Sequence, residues 1–281
     1  VLNVAEDCIQ FLSGPVRTDR REKRLMEFKI AAATDVGIKK KTNQDSLMVR
    51  HFETHAGNMV LAVLCDGMGG FDKGEVASAT VVKTFEKWAD EQLAYYNESE
   101  EYFYVLQKQW FDLISELNER IMRYGKSQGI KLGTTAVVML LTQKKYYLMN
   151  VGDSRAYELG NQMVTQLTKD QTFVAREVEA GRMTPEQALT DPRKNVLLQC
   201  VGASDRVYPD MFSGDVRKDA VYMFCSDGFR HEITQEEIYR MLAPEVMTEE
   251  SVMQANIQYL IQLNMRRNET DNITAAVVRT A

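Results

Sequence analysis

The sequence predicts an α+β protein in which strands build layered sheets and pairs of helices cover them. Two observations carry that prediction. Short apolar runs recur along the chain, punctuated by glycine, asparagine and aspartate, as strands are. Between them lie segments of 20 residues or so whose apolar residues return at helical spacing. A third observation points to function: five aspartates stand at the ends of apolar runs.

Residues 1–25 carry no strand pattern. Their charge run Asp19-Arg20-Arg21-Glu22-Lys23-Arg24 mixes both signs and reads as a solvated helix or linker, so 1–25 is taken as an N-terminal extension. The body spans 26–281. Strands are expected at 28–33, 47–52 and 59–65. From 75 to about 93, Val76, Ala79, Val82, Phe85 and Trp88 fall at helical spacing. A second helix covers about 101–124, with Leu106, Trp110, Leu113, Leu117 and Ile121 on one face. Both tryptophans read as core residues. Strands follow at about 134–142, 145–152 and 155–159. A small helical excursion occupies 172–200, where Thr184 can cap and Pro185 can start a helix. Strand 221–226, helices near 234–242 and 248–265, and strand 273–279 complete the chain.

The bulk properties suit one large layered domain. The 281 residues are 44% apolar and 26% charged, as in an ordinary globule. A net charge of −6 argues against nucleic acid or an anionic membrane as partner. No apolar stretch approaches the roughly 20 residues of a membrane span. The start of the sequence lacks a basic region followed by an apolar core, so no secretory signal is expected. Cys8, Cys65, Cys200 and Cys225 form no C-x-x-C pair. Cys65 and Cys225 lie inside apolar runs and read as reduced core residues, which fits the cytoplasm. His51, His55 and His231 are too scattered for a histidine-rich metal site and read as surface or strand-edge residues.

The run Met59-Val60-Leu61-Ala62-Val63-Leu64-Cys65 ends on Asp66-Gly67-Met68-Gly69-Gly70. A carboxylate at a strand end can bind a cation, and a glycine carbonyl beside it can bind the same one. Asp45 precedes Leu47-Met48-Val49. Asp153 follows Tyr146 to Val151, and Asp227 follows Val221 to Cys225. Asp271 precedes Ile273 to Val278. Any single Asp-Gly after a strand is usually a turn. Five carboxylates brought to one rim would repel one another, however, and divalent cations are the remedy. An all-oxygen site favours magnesium, manganese or calcium over zinc or copper.

The motifs occur in a telling order: Thr34-Asp35-Val36-Gly37, Asn43-Gln44-Asp45, Asp66-Gly67-Met68-Gly69-Gly70, Gly74-Glu75-Val76-Ala77-Ser78, Gly133-Thr134-Thr135-Ala136, Val151-Gly152-Asp153-Ser154-Arg155, Leu167-Thr168-Lys169-Asp170, Ser226-Asp227-Gly228 and Asp271-Asn272-Ile273-Thr274. This series resembles the metal-dependent protein serine/threonine phosphatases of type 2C, in their bacterial single-domain form, over about 28–280. The resemblance implies a four-layer α-β-β-α sandwich of two mainly antiparallel sheets flanked by helices. It implies hydrolysis of phosphoserine and phosphothreonine in proteins by a metal-activated water, with two core Mn2+ or Mg2+ ions and a weaker third. Carried over, Asp66 would bridge the two core ions and the Gly67 carbonyl would join it. Asp45 would hold one ion, and Asp227 and Asp271 the other. Asp153 with Asp227 would form the third site. Residues 168–200 resemble the family's variable flap, whose Arg176, Arg182, Arg193 and Lys194 could meet acidic or phosphorylated surfaces, although a solvated face is the plainer reading.

The chemistry agrees. A phosphate monoester dianion repels hydroxide and hydrolyses extremely slowly without help. Two metals can supply a nucleophilic water, so no protein nucleophile is needed. The chain offers no Ser-His-Asp or cysteine-based arrangement.

Four departures from the family pattern matter. Lys40 stands where an arginine usually binds the substrate phosphate; it keeps the charge and loses the bidentate fork. Met68 and Phe71 stand where relatives carry a histidine, which leaves no side-chain general acid there. His231 replaces an acid four residues after Asp227, at the third metal position. Gln44 replaces another acid. The competing function is a catalytically weak, phosphatase-like binding or regulatory module. All five metal aspartates are intact, which favours the enzyme. Phosphorylated proteins, including a serine/threonine kinase or its substrates, are the expected partners.

Overall fold

The computed structural model describes residues 25–69, 73–97, 99 and 101–281. The N-terminal charge run, Cys8, Gly70 and Phe71 lie outside the described residues. Two antiparallel sheets face each other. One has the order β1 (Phe28–Asp35), β11 (Ile273–Thr280), β10 (Val221–Cys225), β7 (Arg155–Gly160), β8 (Met163–Gln166). The other runs β2 (Asp45–Thr54), β3 (Gly57–Gly69), β5 (Ala136–Leu141), β6 (Lys145–Val151), β9 (Asp210–Asp215), with the short β4 (Leu132–Thr134) paired to the end of β3.

The unbroken apolar runs have a simple cause: both faces of the central strands are buried. In β3, Val60, Ala62 and Leu64 point between the sheets, where they meet Val137, Met139, Tyr222, Phe224 and Ala276. Met59, Leu61, Val63 and Cys65 point the other way, under two long helices, α1 (Gly74–Gln92) and α2 (Tyr102–Gln128). In that outer layer Phe85, Trp88 and Trp110 pack edge to face, with ring centroids 5.5–6.3 Å apart. Strand β10 divides likewise. Tyr222 and Phe224 face inward. Val221, Met223 and Cys225 lie under α6 (Gln235–Leu242) and α7 (Glu250–Arg266), which supply Ile238, Leu242, Ile257 and Leu260. The layers are therefore helix, sheet, sheet, helix, as expected. Cys65, Cys200 and Cys225 are free and buried.

Four details differ from the sequence reading. The strand through 59–65 does not stop at Asp66 but continues to Gly69, because β4 pairs with its glycine end. The expected strand 134–142 breaks at Thr135, whose backbone turns to bond Asp66. Edge strands β8 and β9 were not expected; each has only two apolar residues, none of them fully buried, so neither shows an apolar run. Asp227 does not end a strand but starts a helical turn, α5 (Asp227–Arg230). In the 172–200 excursion, two short helices form, α3 (Phe173–Glu179) and α4 (Pro185–Thr190). The second begins at a capping box in which Thr184 and Gln187 satisfy each other's backbone N–H.

Candidate metal centre

The topology carries five segments, those of Asp45, Asp66, Asp153, Asp227 and Asp271, to one rim of the sandwich. Asp45 opens β2 directly opposite Asp66 of β3 in the strand register. The Asp66 N–H donates to the Thr135 hydroxyl at 2.9 Å, and the Thr135 N–H donates back to the Asp66 carbonyl at 2.9 Å. The Thr135 hydroxyl also shares a hydrogen bond of 2.7 Å with Ser154, the neighbour of Asp153. On the opposite sheet, the Ser226 hydroxyl donates to Asp45 Oδ2 at 2.9 Å, which places Asp227 beside Asp45. The loop before β11 closes the ring. A Cβ at Gly228 would collide with the Asn272 carbonyl, so the Asp227 turn and the Asp271 loop touch through backbone. Asn272 then stitches in the loop carrying Lys40: its side chain accepts from the Gln44 N–H at 2.9 Å and donates to the carbonyls of Val36 and Thr42. Gly37 makes the turn possible at φ 75°, where a side chain would strike the Asp271 carbonyl. Lys40 Nζ reaches Asp271 Oδ1 at 2.8 Å.

The rim is electrostatically unfavourable on its own. Burial, then the carboxylates of Asp45, Asp227, Asp153 and Asp271, push the Asp66 carboxyl well above the usual range. Burial pushes Asp45 up to about 7 against the hydroxyls of Thr274 and Ser226, with Asp227 and Asp271 adding to the rise. Burial and Asp227 raise Asp153 to about 6, while Arg230 pulls it back. Burial alone would lower Lys40, but its pair with Asp271 and the fields of Asp66 and Asp227 raise it.

Divalent cations fit this donor set. Asp45 Oδ1 and Asp227 Oδ1 are buried acceptors without a protein donor, and such atoms are rare unless something else satisfies them. Among the described residues no three His, Cys, Asp or Glu side chains close on one point. One or two carboxylates per ion, with water filling the remaining positions, is the manner of Mg2+ and unlike that of a structural zinc site.

The far side of the rim is different. Asp153 sits in the turn between β6 and β7, only 7% exposed. Arg155 grips Asp170 with both prongs, Nε to Oδ1 at 2.8 Å and Nη2 to Oδ2 at 2.6 Å. Arg230 Nη2 lies 3.1 Å from the Asp153 carbonyl and 3.5 Å from its Oδ2. His231 is not the plain surface residue expected. Its Nδ1 meets Glu269 Oε2 at 3.0 Å and its Nε2 lies 3.5 Å from Asp227 Oδ2. Arg230 and Glu269 went unremarked in the sequence because both act through contacts remote in the chain. The flap arginines Arg176, Arg182 and Arg193 pair locally with Glu177 and Asp191.

A model of the family "Protein phosphatase 2C" matches residues 38–260. The chain belongs to the protein phosphatase 2C family. It is 30% identical to the protein phosphatase PhpP of Streptococcus pneumoniae over 252 residues, covering 89% of this chain and 96% of that one. Its fold is similar to that of the S. agalactiae serine/threonine phosphatase, with a TM-score of 0.76, 29% identity and coverage of 90% and 99% of the two chains. It is also similar to the catalytic domain of the serine/threonine phosphatase PstP in complex with two manganese ions, with a TM-score of 0.73, 28% identity and coverage of 91% and 99%. The chain is thus a metal-dependent protein serine/threonine phosphatase of the bacterial type, and its substrates are phosphoproteins. No helix among the described residues is long and apolar enough to cross a membrane.

Proposed function

We propose that this phosphatase works at the acidic rim, with residues 26–281 as its catalytic domain and 168–200 as a flap beside the site. Asp66 and the Gly67 carbonyl would join two core Mn2+ or Mg2+ ions, with Asp45 on one and Asp227 and Asp271 on the other. Asp153 and Asp227 provide the oxygens of a third position. The observation that carries this reading is the pair of buried, unpartnered acceptors on Asp45 and Asp227, beside Asp66 and Asp45 carboxyls that burial and the neighbouring carboxylates push above the usual range.

Bound divalent ions supply a nucleophilic water at neutral pH and neutralise the phosphoryl oxygens. The chain's own residues do the rest. Ser226 holds Asp45 by one oxygen and leaves the other facing the rim. Thr135 locks the Asp66 backbone from both sides, so the carboxylate is aimed before any ion arrives. Lys40 is 41% exposed in its side chain and sits at the outer edge, on Asp271. It binds the substrate phosphate as a compact point charge, without the planar match an arginine would offer.

The enzyme reverses a cytoplasmic serine/threonine kinase, acting on the kinase or its substrates. The test compares phosphothreonine, phosphoserine and phosphotyrosine peptides with a small chromogenic phosphate, all with Mn2+ present. Preference for the phosphoserine and phosphothreonine peptides by kcat/KM is expected. Equal or better use of the small ester would overturn the assignment of a protein substrate to this site.

A further inference from the structure

We infer that Arg230 is a tethered cation that competes with a third divalent ion for Asp153 and holds the resting enzyme at two ions. The inference rests on the reading that Asp153 and Asp227 form the third position, and it concerns what this chain has put there.

Arg230 lies three residues after Asp227 in the same helical turn, so the two side chains share one edge of the site. Its Nη2 addresses both the carbonyl and the carboxylate of Asp153, at 3.1 and 3.5 Å. Those are the two kinds of oxygen a hard cation would take. The guanidinium is well enclosed, with its side chain 15% exposed, and its Nε has no partner. Asp170 does not hold it elsewhere. That carboxylate is gripped by both prongs of Arg155 and lies 3.9 Å from Arg230. Asp153 is therefore the principal counter-charge of Arg230.

The next residue points the same way. The family resemblance implies an acid at position 231, and this chain has a histidine. Its ring sits between Glu269 at 3.0 Å and Asp227 at 3.5 Å. Two consecutive residues thus bring basic side chains to a place where an ion needs oxygens. Arginine does not lose its charge at any ordinary pH, so the competition is permanent. A divalent ion entering beside Asp153 must displace the guanidinium or bear its repulsion at short range, with little water between to screen it.

The test is Mn2+ binding to metal-stripped protein, read by calorimetry and by the electron paramagnetic resonance of free Mn2+. Wild type is expected to take two ions. Arg230→Ala is expected to take a third, or to bind it at least about tenfold more tightly than wild type. Arg230→Gln, which keeps a donor for the Asp153 carbonyl but no charge, should do the same and guards against poor folding of the alanine variant. Adding Asp153→Asn to Arg230→Ala should return the count to two. If wild type already binds three ions and neither substitution changes the third affinity, Arg230 is no competitor, and the Asp153 position stands without it. If every variant binds two, the inference fails together with the third position, and the two-ion centre remains.

Discussion

The two flanks of the acidic rim meet one electrostatic problem with opposite solutions. On the flank of Asp45, Asp66 and Asp227, buried oxygens of Asp45 and Asp227 have no protein donor, and burial together with the neighbouring carboxylates raises the pKa of Asp45 and Asp66. Lys40 reaches that flank from its outer edge, through Asp271. On the flank of Asp153 and Asp170, the cations are built into the chain as Arg155 and Arg230. The first flank keeps buried acceptors that ions from outside would complete, whereas the second carries its own cations. Counting carboxylates therefore does not count metal ions; the fixed basic side chains must be counted against them.

The largest effect should come from the first flank. Asp66→Asn removes the carboxylate that faces all the others, and phosphate release with Mn2+ should fall by roughly 10³-fold or more. A fall of less than tenfold would show that Asp66 does not bridge the core ions. On the second flank, loss of the Arg155–Asp170 pair should show in stability rather than in metal dependence. Arg155→Ala leaves the largely buried Asp170 without its bidentate partner, with only the Gln166 amide at 3.0 Å and Arg230 at 3.9 Å beside it, which should cost about 2–3 kcal/mol in chemical denaturation. Arg155→Lys should recover part of that, since the charge returns without the fork. An Arg155→Ala protein as stable as wild type would remove the distinction between the flanks.

Lys40→Ala should lower kcat/KM by about tenfold, the scale of one exposed charge on a phosphate. Lys40→Arg should match or exceed wild type. If the alanine variant keeps its KM and kcat/KM, Lys40 belongs to the solvated run Lys39-Lys40-Lys41 and not to the phosphate site.

The smallest effect is also the most diagnostic of electrostatic strain. In metal-free protein the Asp45 carboxyl keeps its proton from its ordinary value of 3.8 up to about 7. A carboxyl whose folded pKa is raised costs the fold stability as pH climbs through that window. Asp45→Asn should therefore match wild type near pH 4. It should become more stable than wild type by on the order of 1 kcal/mol or more as pH climbs from about 4 to 7, with no further gain above that. Saturating Mn2+ should reverse that order. Equal pH profiles for the two proteins without metal would mean that the rim carries no such strain.

Much of this was legible in the sequence. Each rim aspartate sits beside an apolar run, because strands buried on both faces are conspicuous and their polar ends stand out. The layering followed for the same reason. The edge strands Met163–Gln166 and Asp210–Asp215 were not legible, since each puts only one or two half-buried apolar residues against the core, Val164 in one and Met211 and Phe212 in the other, too few to leave an apolar run. The second flank was hidden for another reason. Arg230 meets Asp153 across 77 positions, and His231 meets Glu269 across 38. No local pattern joins such residues, and an arginine after an Asp-Gly looks like any surface charge. His231 was visible as a departure from the family pattern, but its contacts with Glu269 and Asp227 appear only in the folded chain.

The most direct test of the whole account is phosphate release from a phosphothreonine peptide by metal-stripped protein, with Mn2+ titrated back. The account predicts no turnover without metal, and activity that returns as the ion is added. Turnover that survives complete removal of divalent metal would contradict it, because the acidic rim would then have no part in the reaction.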